Sequence, residues 1–172
     1  MVCSFSLAKV ADVLDASMVS VHSELRHKMV SNITTDSRDI CSDALFVALR
    51  GEKFDGHDFV RKAISRGALA AVVNNDQVLD DIPCLAVPDS LVAYQALGRW
   101  WRSQHRAKII AVTGSVGKTT TKELIAAALA TQGQVLKTQA NYNNEIGVPK
   151  TLLQLEPHHD FGVVEMGMRG PG

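Results

Sequence analysis

The sequence predicts an α/β fold in two unequal pieces: a small N-terminal α/β domain over residues 1–106, then the first part of a phosphate-loop α/β domain over residues 107–172. The first observation behind this is alternation. Short apolar runs, namely Ala44–Leu49, Leu69–Val73, Cys84–Val87, Ile109–Val112 and Phe161–Glu165, are separated by segments whose apolar residues recur at helical spacing. The second is a polar stretch, Arg102–Lys108, between two apolar segments, which puts a boundary at about residue 106. The third is a glycine-containing loop, Thr113–Thr120, with a strand signal before it and a long helix signal after it.

In the first piece, Leu7, Val10, Ala11 and Leu14 predict an amphipathic helix. Lys9, Asp12 and Asp15 interrupt its apolar residues, so the segment lacks the continuous apolar stretch of a secretory signal. Ala44–Leu49 reads as a strand and Arg50–Asp58 as a polar loop. Phe59, Val60, Ala63 and Ile64 predict a helix to Arg66, closed by Gly67 at the C-cap. Leu69–Val73 and Cys84–Val87 are two more strands, the latter bounded by Pro83 and Pro88. Asp89 or Ser90 suits the cap of a helix carrying Leu91, Tyr94, Leu97 and Trp101 on one face.

In the second piece, Ile109–Val112 is a strand, Lys118–Ala130 a helix, Gln134–Lys137 a short strand and Asn141–Gly147 a polar loop. Pro149 is suited to start a helix through Thr151, Leu152, Leu153 and Leu155. Phe161–Glu165 completes at most three strands of this sheet, so Gly172 is expected to be a truncation point.

Composition narrows the class. Hydrophobic residues make up 46% of the chain, which favours a packed core over disorder. Eighteen basic residues balance eighteen acidic ones, so no global positive field exists to hold nucleic acid or an anionic membrane. The three cysteines, Cys3, Cys41 and Cys84, are far apart and form no CxxC pair, which argues against a disulfide framework or a zinc site. No apolar run approaches the roughly 20 residues that span a bilayer. The expectation is a cytoplasmic protein without membrane insertion, monomeric at full length.

The strongest motif is Thr113-Gly114-Ser115-Val116-Gly117-Lys118-Thr119-Thr120. Glycines let the backbone fold tightly so that several N–H groups converge on one anion, and the following helix adds its unpaired N–H groups. Lys118 would place a charge near the β- and γ-phosphates of ATP, and the Thr119 hydroxyl suits Mg²⁺. Val112 stands where the longer GxxxxGK[ST] pattern has glycine, so this is the compact form of the loop. Glu165, at the C-terminal end of a strand beside such a loop, is placed to hold Mg²⁺, with Gly167 and Gly170 following. A solvent-facing carboxylate at a strand end is the plainer alternative.

Other segments widen the match. Thr35-Asp36-Ser37-Arg38, Leu45–Gly51, Asp55-Gly56-His57-Asp58-Phe59 and Gly67-Ala68, taken with the compact loop, resemble the Mur ligase family. Asn141-Tyr142-Asn143-Asn144-Glu145-Ile146-Gly147-Val148-Pro149 with Thr151-Leu152-Leu153 is similar to the member that adds D-Ala-D-Ala. The resemblance implies an N-terminal UDP-binding domain and an ATP-dependent ligase of cell-wall precursor synthesis. ATP would phosphorylate the terminal carboxylate of UDP-MurNAc-tripeptide, and the amine of D-Ala-D-Ala would displace phosphate from the acyl phosphate. It also implies that Lys118 and the loop Gly114–Thr120 hold ATP, that Thr119 and Glu165 serve magnesium, and that Lys118 and Glu165 are the catalytic pair. Asn143 and Asn144 would contact the UDP-sugar or shape its cleft, with Asp36, Ser37 and Arg38 near the uridine or peptide end. Plainer roles stay open: an Asx turn at Asp36-Ser37, a surface ion pair for Arg38, turn satisfaction by Asn143 and Asn144, a hydrogen-bonded loop role for His57. The family's later domain and its carbamylated lysine fall outside residues 1–172, so the chain alone is expected to be inactive. A ligase adding the third amino acid and a non-catalytic UDP-sugar or nucleotide-binding module are the alternatives.

Overall fold

The structure is a computed structural model that describes residues 5–51 and 54–167. Gly170 and Cys3, singled out above, lie outside the described residues, as do Glu52 and Lys53 of the polar loop. The chain forms two compact units, one up to Ala96 and one from Leu97. The division falls inside a helix, ahead of the polar Arg102–Lys108 stretch.

The first unit opens with α1 (Leu7–Leu14), whose Ser6 side chain caps Lys9 N and whose Leu7, Val10 and Ala11 are buried. Then come β1 (Ser17–Val19), α2 (Ser23–Arg26), β2 (Asn32–Thr34) and β3 (Ala44–Val47). A 3₁₀ turn (Gly56–Phe59) leads into α3 (Val60–Ser65), followed by β4 (Ala68–Asn74), β5 (Cys84–Val87) and α4 (Ser90–Ser103). The sheet order is β1-β5-β4-β3-β2. All neighbours are parallel except β1, which pairs antiparallel with β5. Every residue of β3 and β5 is buried, as the continuous apolar runs require of strands covered on both faces.

The periodic segments form the predicted elements, with small shifts of boundary. Gly67 adopts φ +105° just past α3, a conformation that L side chains rarely take. Asp89, rather than Ser90, caps α4, its Oδ1 accepting from Leu91 N and Val92 N at 2.7 and 3.0 Å. The strands β1 and β2 were not foreseen. Each is three residues long with at most two buried positions, too short for period-2 alternation to register.

His57 is a hydrogen-bonded loop residue, buried beside Asp55. Its Nδ1 lies 2.5 Å from Asp55 Oδ1, and its Nε2 accepts from Asn74 N at 3.1 Å. Asn74 Oδ1 in turn accepts from Ser90 N, and Ser90 Oγ donates to Ala48 O. This chain of hydrogen bonds ties the loop before α3 to the ends of β3 and β4 and the start of α4.

The second unit contains β6 (Lys108–Val112), α5 (Lys118–Leu129), β7 (Val135–Lys137), α6 (Gly147–Leu152) and β8 (Phe161–Glu165). Its sheet is parallel, in the order β6-β8-β7. Val112, Ala126 and Val163 form its core with Ile125, Leu129 and Val135 against them. Helix α6 begins at Gly147, two residues before Pro149. Proline still sits in the first turn, where its missing N–H would have had no helical partner. Trp101 Nε1 donates to Leu155 O at 3.0 Å, so this buried indole anchors the core.

Candidate active site

The loop between β6 and α5 is shaped by two glycines. Gly114 has φ +144° and Gly117 has φ +78°, both in the region L side chains avoid. Nothing lies within 4 Å of a Cβ placed on Gly117, so backbone conformation and not crowding requires glycine there. Gly117 is the N-cap residue of α5, and its carbonyl accepts the first helical bond, from Thr121 N at 2.9 Å. Ser115 and Val116 are exposed at the loop tip, and Thr120 is exposed on the first turn. Lys118 turns back over the loop, Nζ donating to Gly114 O at 2.7 Å. The result is an open loop with a helix N-terminus and an ammonium group on one side, an arrangement suited to a phosphate chain.

Strand register brings the acid to this loop. Val112, the last residue of β6, pairs with Glu165, the last of β8, and Met166 N donates to Val112 O at 2.9 Å. Glu165 is 2% exposed. Its Oε2 accepts from Thr119 Oγ1 at 3.0 Å, and its Oε1 accepts from Asn143 Nδ2 at 2.8 Å. Lys122 Nζ lies 3.6 Å from Oε2. Burial pushes the Glu165 carboxyl up, but the bonds from Asn143 and Thr119 and the charge of Lys122 together hold it below the usual carboxylate range. It is an ionised carboxylate with its oxygens already engaged.

Asn143 and Asn144 divide their work. Asn143 holds Glu165 by its side chain, and its carbonyl accepts from Gly167 N at 2.7 Å. Asn144 Oδ1 accepts from Ile146 N and Gly147 N at 3.3 and 2.8 Å, satisfying backbone groups at the start of α6. A Cβ on Gly147 would sit 2.4 Å from Tyr142 C, so the Asn-rich loop lies directly against the helix start.

Sequence reasoning missed Lys122 and Thr138. Lys122 is 2% exposed and donates to Thr138 O at 2.9 Å; Thr138 Oγ1 accepts from Glu165 N at 2.9 Å. The signal was available for Lys122: it stands on the α5 face with Ala126, a charged residue inside an apolar stripe. Thr138 carried no comparable signal.

In the first unit, Asp36 Oδ1 accepts from Arg38 N at 2.9 Å, an Asx-type turn, and its carboxylate takes Arg38 Nε and Nη2. Ser37 is buried, with its carbonyl accepting from Arg66 Nη1 at 2.7 Å.

The donors beside the phosphate loop are a hydroxyl and a carboxylate. Mg²⁺ is held by few protein oxygens together with substrate phosphates, so Thr119 and Glu165 fit it. Among the described residues no group of three or more His, Cys, Asp or Glu side chains forms a separate metal cage.

Residues 29–140 match the Mur ligase family, catalytic domain, and residues 112–172 match the Mur ligase middle domain. The chain belongs to the Mur ligase family. It is 51% identical over 169 residues to a UDP-N-acetylmuramoyl-tripeptide–D-alanyl-D-alanine ligase of Synechocystis, covering 97% of this chain and 37% of that protein. The like-named Escherichia coli ligase is 41% identical over 98% of this chain and 36% of its own length. A crystal structure of MurF from Acinetobacter baumannii superposes with a TM-score of 0.87 at 33% identity, over 98% of this chain and 37% of that one. The MurF ligase of Thermotoga maritima in complex with ADP superposes at 0.75 and 32% identity, over 82% of this chain and 33% of its own. The chain thus spans about 37% of the length of the curated Mur ligases it matches. No helix among the described residues is long and apolar enough to cross a membrane.

Proposed function

We propose that this chain supplies the front part of an ATP-dependent ligase that joins D-Ala-D-Ala to UDP-MurNAc-tripeptide in cytoplasmic cell-wall precursor synthesis. The observation that carries the ATP half is the meeting of Thr119 Oγ1 and Glu165 Oε2 at 3.0 Å beside the glycine loop. The choice of substrates rests on the likeness to ligases of that name. In this reading residues 1–106 form the UDP-substrate domain and residues 107–172 begin the ATP-binding domain of a monomeric enzyme.

The backbone N–H groups from Gly114 to Thr120 take the phosphates, and Lys118 leaves Gly114 O to neutralise charge on the transferring phosphoryl group. Thr119 and Glu165 would hold Mg²⁺, which would supply positive charge to offset that of the phosphates. Asn143 fixes the carboxylate rotamer. Asp36, Ser37 and Arg38 lie toward the UDP-sugar in the first domain, with Asn144 shaping the Asn-rich loop from which that substrate is read. The peptide carboxylate attacks the γ-phosphorus, ADP leaves, and the dipeptide amine then attacks the acyl carbon, forming the amide and releasing phosphate and a proton.

The test is ADP release by the full-length protein given Mg²⁺-ATP, UDP-MurNAc-tripeptide and D-Ala-D-Ala. Release that requires both cosubstrates is expected. Release with a single amino acid and a shorter UDP-muramoyl peptide would move the protein to another ligase of the family.

A further inference from the structure

The Lys122 ammonium is an interior cation placed against the acid of the phosphate loop. It lies 3.6 Å from Glu165 Oε2, the same oxygen that accepts the Thr119 hydroxyl. Its side chain is 2% exposed and that of Glu165 3%, so water screens the pair poorly. Lys122 also cannot swing away cheaply. Its Nζ donates to Thr138 O at 2.9 Å and lies 3.3 Å from Glu123 Oε1, and Glu123 is itself paired with Lys137. Thr138 closes the frame from the other side, since its Oγ1 receives Glu165 N.

This arrangement has a consequence for a divalent ion. Between Thr119 and Glu165 such an ion would arrive beside a fixed positive charge, and its attraction to the carboxylate would be opposed by Lys122. A polyphosphate on the loop brings the negative charge that reverses this balance. We propose that Lys122 is a built-in counter-ion and positioning residue: it holds the Glu165 carboxylate aimed at Thr119 in the free protein, and makes divalent-metal binding there conditional on a bound nucleotide. This rests on the nucleotide-and-metal reading of the Thr119–Glu165 site given above.

The experiment uses Mn²⁺, an oxygen-preferring ion with a spin-resonance signal, as the probe of the full-length protein. Free Mn²⁺ is titrated against wild type, Lys122→Met and the double variant Lys122→Met/Glu165→Gln, each with and without ADP. Without nucleotide, Lys122→Met is expected to bind Mn²⁺ at least about tenfold more tightly than wild type, from removal of one nearby positive charge. That gain must vanish in the double variant. Equal or weaker nucleotide-free binding by folded Lys122→Met overturns the proposal, as does a gain that survives Glu165→Gln. If Lys122→Met does not fold, Lys122→Gln takes its place with the same two outcomes, and Mn²⁺ binding to wild type that is as tight without ADP as with it overturns the proposal. Failure of wild type to bind ADP at all removes the nucleotide reading and this inference together, whereas nucleotide-dependent Mn²⁺ binding with no gain in Lys122→Met removes the inference alone.

Discussion

Asn143 donates its side-chain amide to Glu165 Oε1 at 2.8 Å, joining the Asn-rich loop to the acid at the end of β8. The other oxygen of the same carboxylate takes Thr119 Oγ1 from the start of α5. Three segments far apart in sequence therefore orient one buried side chain. Partners of a metal-holding carboxylate that set its direction typically change metal affinity or activity by about 10–100-fold when removed. Asn143→Ala in the full-length protein is expected to raise the Mg²⁺ concentration for half-maximal ADP release by about tenfold or more. Nucleotide binding in the presence of EDTA should change little. An unchanged Mg²⁺ requirement would leave Asn143 as a loop residue only.

Lys118 makes a loop contact that a phosphate chain must replace, since its Nζ donates to Gly114 O at 2.7 Å. Replacing it with alanine removes an ammonium group held against the loop while leaving the glycines in place. Loss of a preorganised donor to developing charge costs about 10²–10³ in rate. Lys118→Ala is expected to lose ADP release by that order, with thermal midpoint near wild type. A variant that retains rate within a few-fold would break the phosphate-loop assignment.

Legibility followed range. The phosphate loop, the cap at Gly67 and the strands β3, β4 and β5 were readable because each is specified by neighbours a few residues away. The loop's glycines show the positive φ that the motif implies. What could not be read is carried by pairs such as Thr119 with Glu165, separated by 46 residues, and Lys122 with Thr138, separated by 16. Motif spacing named Thr119 and Glu165, while Lys122 is betrayed only by its place in an apolar stripe, a weak signal because a lysine on a helix is ordinarily solvated. Asn144 and Asp36 show the opposite case. Their side chains satisfy local backbone groups, as the turn reading of those residues holds, and the proposed substrate contacts must be made alongside those bonds.

Gly147 bears on the same site by packing. A Cβ there would lie 2.4 to 2.7 Å from the backbone of Tyr142, closer than side chains approach. Since the contact is with backbone, the Asn-rich loop itself must move to admit a methyl group. Forcing extra volume into a packed position costs about 1–3 kcal/mol. Gly147→Ala is expected to lose stability of that order in urea unfolding, and to raise the Mg²⁺ requirement in the same sense as Asn143→Ala, because the displaced loop carries the Glu165 donor. Full stability in the variant would show that the loop is not clamped against α6.

Asp55 gives a pH dependence confined to the first unit. Burial pushes its carboxyl up, but bonds from the backbone and ring of His57 and from Arg50 outweigh this and hold it down, to about 2 from an ordinary 3.8. A carboxylate depressed in the folded state contributes stability that is complete above its unfolded value and is lost as pH falls through the folded one. The contribution is therefore present at neutral pH and disappears between about pH 4 and pH 2. A shift of this size corresponds to on the order of 2 kcal/mol. Asp55→Asn keeps the shape but loses the charge, and offers one acceptor oxygen where the carboxylate offers two, Oδ1 to His57 and Oδ2 to Arg50. It is expected to unfold at lower urea concentration than wild type at pH 7, with the difference shrinking as the pH is lowered through this window. A gap that stays constant from pH 7 to pH 2 would mean that the Asp55–His57 contact contributes through shape and not through charge.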